Sequence, residues 1–458
     1  MISRFKPDSG ATAMFASIAF FFAALVLGGG SRLELAGPIL LRLIAIGALV
    51  WLLWNGAMRG VGLPKFAYVF WAGLLLLPLI QLIPLPWWLW TRFPGREVVV
   101  EMYQALGVTP MQPISLAPER TVNAFFALIP VVTAFFLTLR LDNAGREKSI
   151  AWIITATVIS AVLGLLQVVS GPGSVLYIYA ITNGDASVGL FSNANHHSLF
   201  LCAGIVLIFH WMSAKIRLNR QLPQTELAMG GLALLCLLTS VVATLSRAGV
   251  LFAIVAVLVG LTFIPINMLR ISRMRFWGIA AGVFLFATAV FSVMFFSRIF
   301  GTADEGGILQ DGRIDNLWVF GRMIADFFPI GSGLGTFDPV YRLYETAGEI
   351  DLTYLNNAHN DGAQILLEGG LWGGLLLIMF LGWYGAQTLS VLRVSSENMV
   401  RVTQRRAMCA IIGLALAHSL VDYPLRTGAF SVLFGMCAAM LMYQPPSSGR
   451  QRAGSTKA

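Results

Sequence analysis

The chain has 458 residues, of which 57% are hydrophobic and only 12% charged, and its mean hydropathy is +0.76. That balance excludes an ordinary soluble domain, and repeated apolar runs of about 20 residues read as membrane-crossing helices. A net charge of +9 could point to nucleic acid, but its placement follows membrane topology, so no nucleic-acid partner is expected.

In chain order, the apolar runs predict about twelve transmembrane helices, at 12–30, 37–56, 66–84, 121–139, 150–170, 197–212, 227–243, 249–267, 278–297, 371–392, 407–421 and 427–443. The expected class is an all-α polytopic membrane protein. With a cytoplasmic N-terminus, 20 of the 31 basic residues fall on the cytoplasmic side, 10 fall outside, and Arg42 lies within the second span. This positive-inside bias puts both termini in the cytoplasm. The first run lacks a small-x-small cleavage site and reads as an uncleaved helix. Cys202, Cys236, Cys409 and Cys437 all fall in predicted spans without metal-ligand spacing, and read as small apolar packers.

Two connections are long, and both fall on the outer side. The first, 85–120, carries Trp87, Trp88 and Trp90, which suit an aromatic belt followed by a helix lying on the membrane. The second, 298–370, holds 11 of the 22 acidic residues, with helix-like stretches near 313–327 and 358–368 and the turn "GSGLGTF" between them. The expected organisation is N-terminal helices and first loop (1–120), central helices (121–297), a large catalytic loop with short helices (298–370), C-terminal helices (371–443) and a cytoplasmic tail (444–458). A long structured loop between spans usually carries function.

Four polar sets lie on that side: "GLFSNANHHS" (189–198), "LSRAG" with Arg247, the large loop with Arg313 and Arg342, and "NNAHNDGAQILLEGGLWG" (356–373). Arginines on the outer face run against the charge bias, so Arg247 and Arg313 each call for a partner, either a lipid phosphate or an acid such as Asp315. Asn357 or Asn360 can cap a helix. Capping does not account for His359. The helix dipole there favours a neutral ring able to accept a proton. Arginines recognise phosphates bidentately. No paired Asp, phosphate-binding glycine loop or His/Cys ligand spacing points to a metal or a nucleoside triphosphate, so no metal and no cofactor is expected. A phosphate-bearing lipid substrate met at the outer surface fits these residues.

"HNDGAQILLEGGLWG", with His359, Asn360, nine residues, Gly370, two residues and Gly373, resembles the O-antigen ligase superfamily. "PIGSGLGTFDPVYRLY", "GLFSNANHHSLF" and "TLSRAGVL" are similar to it as well, and the likeness spans roughly 185–425. The resemblance implies a GT-C-like glycosyltransferase of a Gram-negative inner membrane, moving a glycan from undecaprenyl diphosphate to an acceptor hydroxyl without metal or ATP. The acceptor would be lipid A-core or a growing glycan.

On that resemblance Arg247 and Arg313 would hold the diphosphate, and His359 would orient or deprotonate the acceptor hydroxyl. Asn360, Asp361, Arg342, Asn195, His196 and Asp422 would bind substrate. His418, inside a span, reads as a packing or network residue. The family position after "HND" is often aromatic, whereas here it is Gly362, which bears on the acceptor pocket. Ligases, glycan polymerases and O-linked oligosaccharyltransferases share these motifs. A transporter would instead show midplane ionisable groups, interrupted helices or inverted repeats. Only Arg42 and His418 stand out within spans.

Overall fold

A computed structural model describes residues 10–30, 36–55, 63–220, 223–268, 274, 278, 312–345, 355–394 and 398–442. Apolar helices α1 (Gly10–Leu27), α2 (Ala36–Trp54) and α3 (Lys65–Gln81) open the chain. A two-stranded hairpin follows, with β1 (Pro84–Leu85) antiparallel to β2 (Gln112–Pro113) and Pro84 opposite Pro113. Between its strands lie α4 (Trp87–Trp90) and α5 (Glu97–Ala105). The central helices are α6 (Pro118–Leu139), α7 (Asn143–Ser170), α8 (Ala194–Asn219), α9 (Gln224–Ala243) and α10 (Arg247–Leu261). After them come α11 (Gly312–Phe327), α12 (Phe337–Tyr341), α13 (Asp361–Arg393), α14 (Met399–His418) and α15 (Gly428–Met442).

Uninterrupted Leu, Ile, Val, Phe and Ala leave the backbone no partner in lipid but itself, so these runs become helices. Their starts are fixed by short polar side chains. Asp142 accepts from Gly145 N at 2.7 Å, Ser246 from Gly249 N at 3.0 Å and Asn360 from Ala363 N at 2.9 Å. Among the described residues six helices, α2, α6, α7, α8, α9 and α13, are long and apolar enough to cross a membrane, and shorter apolar helices include α3, α10 and α15. Eleven of the twelve expected spans fall on described helices. Beyond residue 278, the span expected at 278–297 lies outside the described residues, as does the tail at 444–458.

The bundle is built around α8, which is buried along nearly its whole length and packs against α7, α9, α10 and α14. A helix apolar on all sides suits that place. In contrast, α2 and α9 turn most of their surface outward, as lipid-facing helices do.

Two boundaries differ from the sequence reading. The stretch at 358–368 and the following span form one element, α13, broken only at Gly370, where φ is +54° and ψ −143°. A Cβ at Gly370 would lie 2.2 Å from Pro329 O, and the next amide, Leu371 N, donates to that same oxygen at 2.8 Å. The kink is thus the socket for Pro329–Gly331, and only glycine fits it. Second, the two long connections are not independent. Phe320, Met323, Phe327, Phe337, Val340 and Tyr341 form a small core with Ala358 and Leu367, and Leu116 from the first connection packs on it.

Candidate active site

Asp422 lies in the turn between α14 and α15 and is fully buried. Its Oδ2 accepts from Asn195 Nδ2 at 2.7 Å, and its Oδ1 accepts from its neighbour Tyr423 N at 2.9 Å and from His359 Nδ1 at 3.1 Å. His196 Nε2 stands 3.8 Å from Oδ1, an ion-pair rather than a hydrogen-bond distance. The Tyr423 ring meets both imidazoles edge-on, with centroids 4.7 Å from His359 and 5.2 Å from His196. Burial opposes charge on Asp422, but His196 and His359 outweigh it and hold the carboxyl well below the usual carboxylate range. Residues 195, 359 and 422 are brought together by the starts of α8 and α13 and the end of α14.

The His359 side chain is partly open, 18% exposed against 0% for His196 and 1% for Asp422. Its backbone is left-handed, at φ +48°, a region that histidine enters more readily than most residues. The next residue, Asn360, caps α13 and donates Nδ2 to Leu420 O at 3.2 Å, and Asp361 N donates to Ser419 O at 2.9 Å. These bonds lay the turn before α13 onto the turn that carries Asp422. A carboxylate only accepts, so Nδ1 of His359 carries the proton and Nε2 is left as the ring's acceptor. The sequence reading gave His359 a helix dipole, and the structure adds a fixed anion on the opposite ring nitrogen.

A second polar layer braces the first. Asp361 is 5% exposed, with Oδ2 accepting from Ser419 Oγ at 2.8 Å and Oδ1 from Arg426 Nε at 3.1 Å. Arg426 Nη1 continues to Glu368 Oε2 at 3.7 Å. Glu368 Oε1 accepts from Gln364 Nε2 at 2.9 Å and from Phe337 N at 3.1 Å. Arg426 was not singled out by sequence. The available signal was that it too is an arginine on the outer side, against the charge bias.

The glycine-rich turn is a closed scaffold. Gly331, Gly333 and Gly335 all have positive φ. Ser332 N and Gly333 N donate to Leu367 O and Glu368 O, both at 3.0 Å, and Leu334 N donates to Gln81 Oε1 at 2.9 Å. Gln81 Nε2 returns to Glu368 O at 2.9 Å, and Thr121 Oγ1 donates to Leu334 O at 2.7 Å. Arg96, 1% exposed, donates Nη2 to Ile114 O at 2.7 Å and to Gly331 O at 3.1 Å, between the rings of Trp90 and Phe327. Burial pushes its guanidinium down to about 10, which leaves it charged at neutral pH.

Arg247 opens α10, whose Gly249 abuts Ser198 on the first turns of α8, so it starts beside Asn195 and His196. Phe252 on the same helix packs on His418 at 5.2 Å. Arg313 falls in the first turn of α11, and its side chain lies outside the described residues. Arg342 caps α12 and pairs with Asp338 at 3.2 Å and Glu345 at 3.9 Å.

The apolar helices mark a multi-pass membrane protein, and the polar cluster at one end of their bundle is its candidate site. Residues 232–378 match the family model described as O-Antigen ligase, and over this segment the chain is similar to the O-antigen ligase superfamily. The match supports an O-antigen ligase-like or related polymerase function in polysaccharide biosynthesis. No curated protein matches the chain. The matched segment holds Arg247, Arg313, His359, Gly370 and Gly373, while Asn195, His196, Asp422 and Arg426 complete the cluster from outside it.

Proposed function

We propose that the protein is a glycosyltransferase of the O-antigen ligase type, moving a glycan from undecaprenyl diphosphate to an acceptor hydroxyl at the periplasmic face of the inner membrane. The observation that carries this reading is the His359–Asp422 pair, a partly open imidazole backed at 3.1 Å by a buried carboxylate. The acceptor hydroxyl gives its proton to His359 Nε2 as its oxygen bonds to the anomeric carbon. The bond from that carbon to the diphosphate breaks, and the carrier leaves as an anion. Asp422 holds the ring in the correct tautomer and balances the imidazolium.

Arg247, at the positive end of α10, and Arg313 neutralise the departing diphosphate, which is the role a metal would otherwise fill. Asn195 orients Asp422, while Asp361 and Asn360 position His359 through the 419–422 turn. His196 completes the wall, and Arg342 with Asp338 offers polar contacts to the sugar.

On the first reading, a ligase, the acceptor is lipid A-core. The second reading, a polymerase extending an O-antigen or exopolysaccharide chain, uses the same chemistry with a glycan acceptor. Deletion followed by glycan analysis separates the two. A ligase leaves finished polymer unattached on carrier lipid, whereas a polymerase leaves single repeat units on the acceptor. Unchanged surface glycans would overturn both. Reporter fusions at 355–361 should report the periplasm and at 393–406 the cytoplasm, and transfer by purified protein should survive EDTA. Full loss of activity restored by a divalent ion would contradict the role given to the arginines.

A further inference from the structure

Arg42 is not accounted for by the transfer site. It lies within α2, six residues from its start, on a helix that otherwise carries no charge. Its hydrogen-bond partner is neutral, since Arg42 Nη1 donates to Asn123 Oδ1 on α6. Among the described residues it has no carboxylate partner. A guanidinium stays charged in any protein environment, and one amide oxygen satisfies only one of its several N–H donors. A cation at this depth is ordinarily balanced by an anion.

The geometry shows where that anion comes from. On α2, Leu41 and Ala45 are buried, while Ile39, Leu43 and Ile44 are exposed, so Arg42 sits at the seam between packed and lipid-facing surface. Asn123 occupies the matching seam on α6, flanked by the exposed Val122 and Phe126. The next polar contact between the two helices is Thr133 Oγ1 to Ala45 O at 3.1 Å. It lies three residues deeper than Arg42 on α2 but ten deeper than Asn123 on α6. At 1.5 Å of rise per residue these steps are about 4.5 Å and about 15 Å, so the Arg42 side chain climbs towards the helix starts. That end is the end of the active site, because Thr121, half a turn above Asn123, donates to Leu334 O in the glycine-rich turn. The guanidinium therefore reaches towards the headgroup level along a groove open sideways to lipid.

We propose that Arg42 binds the phosphate of a lipid headgroup, entered laterally from the bilayer between α2 and α6, with Asn123 as an interhelical contact beside it rather than a phosphate ligand. A phosphate there neutralises the arginine and takes its remaining donors in the bidentate manner that guanidinium favours. The lipid's chains lie against Ile39, Leu43, Val122 and Phe126. The lipid is either an anionic phospholipid or a polyprenyl phosphate, and both present the same chemistry. The inference does not rest on the transfer reaction, and either can fail without the other.

The test is native mass spectrometry of the purified full-length protein titrated with phosphatidylglycerol, with a long-chain polyprenyl phosphate and with phosphate-free diacylglycerol. Wild type should bind at least one phosphate-bearing lipid about tenfold or more tightly than Arg42→Gln, with diacylglycerol unaffected. Asn123→Ala breaks the interhelical contact but keeps the charge, and should retain that binding. Displacement of phosphatidylglycerol by the polyprenyl phosphate identifies a carrier site, and failure to displace it identifies a structural phospholipid. Equal binding of all three lipids by wild type and Arg42→Gln overturns the proposal. So does equal loss in Arg42→Gln and Asn123→Ala, which is the signature of a purely interhelical contact.

Discussion

The turn around Asp422 and the turn at Gly331–Phe337 are both dense in hydrogen bonds, both sit at the same end of the bundle, and they do opposite work. In the glycine-rich turn the amides of residues 332, 333, 334 and 337 are already donated to protein oxygens, and its nearby cation, Arg96, is spent on backbone carbonyls. Those four amides are not free for a substrate. Around Asp422 the carboxylate is saturated, but the imidazole it holds keeps one ring nitrogen and a share of solvent exposure. A saturated network gives rigidity, and a network with one group left over at its edge gives chemistry.

The largest effect on transfer should follow Asp422→Asn, which keeps shape and loses charge. Transfer is expected to fall about 10²–10⁴-fold, because the imidazolium loses its counter-charge and the tautomer is no longer enforced. The pH dependence has a definite sign. The folded carboxyl lies below its ordinary value of about 3.9, so its stabilisation is fully present above that value and is lost as pH falls through the depressed one. Thermal unfolding of wild type should therefore carry an acid-sensitive component below about pH 4 that Asp422→Asn lacks. An identical acid profile in the variant would remove the depressed carboxyl from the account.

Gly370→Ala addresses the joint between the two regions. The left-handed backbone alone should cost about 1–3 kcal/mol, with the clash on Pro329 O added, and both stability and transfer should drop. Arg96→Leu acts on the closed region only. It leaves buried carbonyls without a donor and should cost about 1–3 kcal/mol in denaturant unfolding, while transfer per folded molecule is retained. Loss of turnover in correctly folded Arg96→Leu would mean that the scaffold takes part in chemistry. Arg342→Ala should be the mildest. Its ion pairs are half-exposed and worth about 0–1 kcal/mol. If it touches sugar, KM rises with kcat unchanged.

These two regions were legible in the sequence to different degrees. His359 could be read because a histidine in an Asn- and Gly-rich stretch before an apolar run has no packing explanation, and the helices could be read because lipid leaves the backbone few options. Asp422 was visible only as a secondary candidate, since its partners Asn195 and His359 lie 227 and 63 residues away. Arg426, Arg96 and Gln81 gave still less. Gln81 meets Glu368 across 287 residues and Arg96 meets Gly331 across 235, and no local pattern encodes such pairings. The break at Gly370 was invisible as a break because the apolar period continues through it, and only the docking of Pro329 reveals why glycine stands there.

The central claim is that His359 is held in a left-handed turn in order to present its ring, with the backbone merely tolerating the strain. His359→Gly separates ring from backbone, because glycine adopts φ +48° without steric strain while the imidazole and its bond to Asp422 are lost. Transfer from a lipid-linked donor, measured on purified protein in liposomes alongside its melting temperature, gives the direct test. The account predicts transfer lowered about 10²–10⁴-fold, with the protein still folded and its melting temperature lowered only by the lost bond to Asp422. Wild-type transfer by a normally folded His359→Gly would contradict it.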